Sequence, residues 1–218
     1  PLMLAMILSY LQGTKSLQGV IGASFKALAY ETSTKIDLLI QREIERNIRL
    51  ASEKDIQNSI LESNQKMHLL DLSLKDQILA ESKEDWKNPD NKTKSLLYED
   101  SSKVLKKYLR EKTSSALATR ALFVTDASGV LRGSVNDFPK FINADNPALE
   151  IILNGKKDMV FIGSIYNDPR SDSPLVQFAF PIVGKRNKPI GVLFHIFNAK
   201  ELFSSSIEPI TFGDTGHV

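Results

Sequence analysis

Ile36, Ile40, Ile44 and Ile48 recur at every fourth position, and Ala51, Ile56 and Ile60 carry the same stripe onward with a small offset. Residues four apart meet on one face of a helix, so this spacing predicts an amphipathic helix with one apolar side. Glu31 and Lys35, and again Glu45 and Arg49, place acid before base four positions apart, the order that supports an exposed helical face. No glycine falls between Ala23 and Ser128, and Pro89 is the one proline there. Without breakers the pattern predicts a single helix from about Leu17 to about Leu61. Met67 to Leu79 reads as a second helical segment, ending at the polar loop Trp86 to Asn91. Leu97, Val104, Tyr108 and Leu109 then mark a shorter amphipathic helix that stops before Ser114.

The pattern changes near residue 120. Seven of nine prolines and ten of eleven phenylalanines follow Leu122, and apolar runs there are short and bounded by turn residues, the signature of strands. Ala121 to Thr125 and Val130 to Val135 flank Asp126-Ala127-Ser128-Gly129, which reads as a hairpin by its turn chemistry. A short helix is expected from Pro147 to Leu153, with Asn146 as its cap, Pro147 in its first position and Gly155 at its end. Three further strands follow at Met159 to Tyr166, Leu175 to Val183 and Ile190 to Phe197. Five strands with one intervening helix predict an α+β fold, in which the long N-terminal helix packs on a five-stranded antiparallel sheet and covers its phenylalanines.

Composition narrows the function classes. The 28 basic and 26 acidic residues leave a formal charge of +2, too weak an imbalance to point to nucleic acid. The absence of cysteine excludes disulfides, thiolate metal sites and cysteine nucleophiles. There is no Gly-rich phosphate loop, nucleophile-elbow serine or paired-histidine zinc motif, and His68, His195 and His217 are scattered. An enzyme is therefore not expected, nor a cofactor or a metal site. Nine of the ten residues from Leu2 to Leu11 are apolar and no charge precedes Lys15. The run is short of the ~20 residues a bilayer span needs, so residues 1–16 read as the end of a membrane helix. A signal-peptide core and a buried helix start are the competing readings.

Strand parity offers a way to choose a pocket face. Val176, Phe178, Phe180 and Ile182 share one side of their strand, and Gln177, Ala179 and Pro181 the other. Setting the second group against Gly191, Leu193 and His195 of the next strand would leave space near Gln177 and His195. A cavity with a few polar groups is what a small ligand needs; the alternative is that both side chains only satisfy buried backbone groups.

Leu122 to Gly129, Tyr166-Asn167-Asp168-Pro169, Phe180-Pro181-Ile182, Gly191-Val192-Leu193 and Glu201-Leu202-Phe203 fall in an order that resembles the double-Cache, PAS-like family of bacterial receptor sensor domains. The resemblance covers most of the chain. It implies a domain order of a membrane-helix end (1–16), a long stalk helix with further helices (17–114) and a Cache module (115–205). Gly213 to Val218 resembles the opening of a second, membrane-proximal module, assigned to 206–218. It also implies an extracytoplasmic location at the bacterial inner membrane, anchoring by flanking helices, a homodimer through the long helix and a small-molecule ligand, with kinase, chemotaxis or cyclase output inside the cell.

Tyr166, Asp168 and Arg170 occupy the family's pocket-edge loop, and with Phe161, Gln177 and His195 they form the candidate ligand set. The guanidinium of Arg170 could hold a carboxylate at two points, so a small organic acid is the first expectation. In the other reading, Asp168 and Arg170 belong to a solvated turn. Amino-acid-binding members use an arginine, a tryptophan and a tyrosine near the small helix and an aspartate late in the last strand. Here Asn143 to Asn154 has no arginine or aromatic residue, and Ile196 stands at the aspartate position. An amino acid is accordingly a poor fit, since its charges would be buried unpaired. The reading from a different class is a helical oligomerisation module without a ligand.

Overall fold

The computed structural model describes residues 2–69, 77, 80, 92–111, 117–136, 140–168, 173–207, 211–212 and 216–217. The chain divides into a compact unit of Glu43–Leu202 and a second unit of Pro1–Arg42 with Phe203–Val218. Helix α1 spans Leu2–Ala51, and its last residues, from Glu43 onward, belong to the first unit. That unit continues with α2 (Lys54–Leu69), α3 (Lys92–Glu111), β1 (Thr119–Asp126), β2 (Leu131–Asn136), α4 (Pro147–Asn154), β3 (Phe161–Ile162), β4 (Tyr166–Asp168), β5 (Ser173–Val183) and β6 (Pro189–Asn198).

The helix expected to run unbroken to Leu61 is interrupted at Ser52 and Glu53. No glycine or proline marks the break. Instead the last turn tightens: the Ser52 amide donates to both Ile48 O and Arg49 O, its hydroxyl donates to Ile48 O at 2.7 Å, and the Glu53 amide donates to Leu50 O. This closure is the local competition with the helix ladder that serine favours. Leu50 and Ala51 before the break, and Ile56 and Ile60 after it, are all buried.

The sheet is antiparallel in the order β2-β1-β6-β5-β3, with β4 also paired to β5. The expected strand from Met159 to Tyr166 resolves into β3 and β4, so six strands replace five. The Gly163 amide still donates to Gln177 O at 2.8 Å, but Ser164 and Ile165 leave the ladder.

Residues opposed across an antiparallel ladder point to the same face. Register therefore sorts Leu122, Val124, Phe178, Phe180, Leu193 and His195 onto one face, and Ala121, Phe123, Gln177, Ala179, Phe194 and Ile196 onto the other. Helices α2 and α3 pack against the first face, where Ile56, Ile60 and Leu105 are fully buried. Against the second lies α4, whose Ala148, Leu149 and Ile152 cluster with Phe123, Phe141 and Phe194. The rings of Phe123 and Phe194 stack at 4.8 Å.

The hairpin turn is fixed by Asp126, whose Oδ1 accepts from the amides of Ser128 and Val130 at 2.9 and 3.0 Å. Gly129 follows with φ of 78°, and a Cβ there would lie 2.7 Å from the Ala144 amide nitrogen, so both backbone angle and space require glycine.

In the second unit, α1 exposes Met3, Met6, Tyr10, Leu17 and Val20, and β7 (Thr211–Phe212) pairs antiparallel with β8 (Gly216–His217). Helix α5 (Ala199–Ile207) begins in the first unit and ends in this one. Among the described residues no helix is long and apolar enough to cross a membrane.

Candidate functional site

Four of the six candidate residues share the α4 side of the sheet. Phe161 opposes Ala179, Tyr166 opposes Leu175, and Asp168 opposes Ser173, all on the parity of Gln177. Arg170 lies outside the described residues. His195 is on the other face, because it opposes Phe178 rather than a member of the Gln177 set. The register thus overturns the expected pairing of His195 with Gln177 in one cavity: alternation fixes which residues of a strand go together, but not which set of the neighbouring strand joins them.

His195 forms a buried polar link between helix and sheet. It is fully buried, and its Nδ1 lies 2.8 Å from Asn47 Oδ1 on α1. The Asn47 amide nitrogen donates to Glu43 O at 2.8 Å, which leaves Oδ1 as an acceptor and assigns the ring proton to Nδ1. The Thr119 hydroxyl then donates to Nε2, also at 2.8 Å. The imidazole stacks on Phe197 at 3.7 Å and meets the edge of Tyr108 at 6.5 Å. Burial disfavours its protonated form and drives its pKa down to about 3, while burial, followed by the nearby Glu43 carboxylate, pushes the Tyr108 phenol up to about 12. Both groups are neutral at physiological pH. His195 is thereby a structural tie, satisfied by side chains of two other elements, and offers no hydrogen-bonding atom to a ligand.

On the α4 side, Gln177 is held by the helix cap. Asn146 accepts the Ala148 amide at 3.1 Å through Oδ1, and its amide group exchanges two 3.2 Å hydrogen bonds with that of Gln177. Asn146→Ala should destabilise the fold by about 1–2 kcal/mol, since it removes both the cap and the Gln177 partner; urea unfolding would measure this.

Arg120 is the group the sequence did not disclose. It is the extra residue of a bulge in β1 between Thr119 and Ala121, and bulges re-aim side chains that simple alternation misplaces. Its Nη2 lies 3.7 Å from Asp168 Oδ2, with the arginine side chain 39% exposed and the aspartate 5%. This end of the face therefore carries a partly exposed cation next to a buried carboxylate, flanked by the half-exposed Tyr166. Among the described residues, no cluster of His, Cys, Asp or Glu could hold a metal ion.

No family model matches the chain, and no curated protein does. Solved structures similar to it include the ligand-binding domain of the amino acid chemoreceptor PctC of Pseudomonas aeruginosa PAO1 in complex with GABA. That match has 12% identity and a TM-score of 0.44, and covers 82% of this chain and 61% of that one. The ligand-binding domain of PctB of the same organism, in complex with L-Arg, is 14% identical with a TM-score of 0.37, covering 75% and 58%. The sensory domain of a Campylobacter jejuni chemoreceptor is 14% identical with a TM-score of 0.34, covering 80% and 66%. The chain thus spans about three fifths of the length of the PctC and PctB domains.

Proposed function

We propose that this chain is the extracytoplasmic ligand-sensing region of a bacterial membrane receptor of the double-Cache type, and that it binds a small carboxylate on the α4 side of its sheet. The observation that carries the reading is that Phe161, Tyr166, Asp168 and Gln177 lie on one face of the sheet, with the Arg120 guanidinium against Asp168 at one end of that row. A planar guanidinium suits a carboxylate, and the half-exposed Tyr166 ring, two residues from Asp168 on the same strand, suits an apolar body. Arg120 and Asp168 together also supply both signs of charge. An amino acid, disfavoured by the motif residues missing near the small helix, would find partners for its carboxylate and its ammonium here.

Met3, Met6, Tyr10, Gly13, Leu17 and Val20 follow alternating steps of three and four along α1, the spacing with which paired helices interlock. This supports a homodimer through α1 and, with the apolar start of the chain, attachment at a membrane. The ligand would bias two arrangements of the helix, and the Asn47 to His195 to Thr119 link supplies a contact between α1 and the sheet through which it could act.

The oligomerisation-module reading draws on a different observation: much of the α4 side is filled by Phe123, Phe141, Ile152 and Phe194, all buried. Thermal unfolding against acetate, lactate, succinate, citrate and the standard amino acids separates the two. A ligand at about one hundred times its Kd should raise the melting temperature by about 5–10 °C, and Arg120→Ala should abolish most of that rise. If none of these compounds raises it, the oligomerisation reading stands.

A further inference from the structure

The described residues line a cavity away from Arg120 and Asp168. It has a volume of about 470 Å³ and is walled by Ile48 and Ser52 of the α1 end, Gln57 of α2, Lys157, Asp158 and Val160 before β3, and Pro181, Val183, Gly184, Lys185 and Asn187 at the β5–β6 turn. We propose that this pocket is a binding site for a small monoanion with an apolar body, such as a short-chain carboxylate.

Three features of the pocket point to that chemistry. Its size falls in the range of ~300–1,000 Å³ usual for small-ligand sites. The apolar lining from Ile48, Val160, Pro181 and Val183 would contact a hydrocarbon chain and offers nothing to a bare inorganic anion. Lys157 and Lys185 stand against Asp158 alone, so two positive charges and one negative leave a net charge of +1 for one carboxylate. Neither lysine has a salt-bridge partner among the described residues.

The walls are also held in place. The Met159 amide donates to Lys156 O at 2.9 Å, and the β5–β6 turn is closed by Gly184 N to Lys188 O and Asn187 N to Gly184 O, both at 3.0 Å. Asn187 sits in the left-handed region at φ of 55°, a conformation asparagine tolerates. Because Ser52 lies in the break between α1 and α2 and Gln57 follows it on α2, an occupant would connect that break to the β5–β6 end of the sheet. The site is independent of the ligand proposed on the α4 side.

The test is titration of the intact chain with butyrate, pentanoate and hexanoate, followed by backbone amide shifts, with hexanamide and inorganic phosphate as comparisons. The expected result is saturable binding that shifts the amides of Val160, Val183, Gly184 and Asn187. Affinity should rise by up to about fourfold per added methylene. Lys157→Ala/Lys185→Ala should weaken hexanoate by about tenfold or more without changing the melting temperature of the free protein, since both lysines are exposed. The proposal is overturned if hexanamide binds as well as hexanoate, if the double variant binds it unchanged, or if the shifts appear instead at Tyr166 and Gln177.

Discussion

Asp126→Ala is expected to destabilise the sheet unit by about 3–5 kcal/mol, measured by urea unfolding. Asp126 and Arg132 are both buried, with side chains 1% and 6% exposed. Oδ2 accepts from Arg132 Nε at 2.8 Å and from Ser63 on α2 at 3.3 Å, while Oδ1 holds the hairpin turn. Removing the carboxylate therefore strands a guanidinium in the interior and releases two turn amides at once. Asp126→Ala/Arg132→Met should be more stable than Asp126→Ala alone, because the unpaired charge and not the missing attraction dominates the loss. Equal stability of the single and double variants would contradict this explanation.

The second large effect is a dependence on pH. His195 has a folded-state pKa of about 3 against an ordinary value of 6.5. For a base depressed in this way the unfolded chain binds the extra proton, so the stabilisation is present above pH 6.5 and is lost as pH falls toward 3. At about 1.4 kcal/mol for each pH unit, the loss over that window amounts to about 4–5 kcal/mol. His195→Gln keeps a neutral polar side chain and has nothing to protonate. Its stability at pH 7 should be lower than that of the unaltered protein, but its slope between pH 6 and pH 4 should be shallower by close to one proton. Parallel slopes would show that protonation of His195 does not govern acid unfolding.

Both effects lie in regions whose local structure is legible in the sequence to different degrees. The hairpin around Asp126 and the helix that starts at Asn146 could be read directly, because turn and cap chemistry is local: an aspartate before a glycine and an asparagine before a proline leave few alternatives. The strand faces were also legible, since Val176, Phe178, Phe180 and Ile182 alternate with smaller or polar residues. The phase between β5 and β6 was not. It depends on how many residues the turn consumes, and a register shift between Ile182 and Val183 sets Ile182 opposite Gly191. That one step moves His195 to the α2 and α3 side and separates it from Gln177.

Arg120 escaped for a related reason. A bulge is a property of two paired strands, and nothing in Thr119-Arg120-Ala121 announces it. The helix break at Ser52 was hidden as well, because the apolar stripe continues through it at Ala51 and Ile56. What stops the helix is a set of backbone and hydroxyl contacts that serine can make without requiring them.

Amide and side-chain shift mapping during titration with the most stabilising carboxylate or amino acid from the thermal panel tests the sensing account most directly. The account predicts saturable changes at Tyr166, Asp168, Gln177 and the Arg120 guanidinium. Arg120→Ala should weaken binding by about tenfold or more, the scale expected when one charge-assisted carboxylate contact is lost. Saturable changes confined to the α2 and α3 side of the sheet, or equal binding by Arg120→Ala, would contradict it.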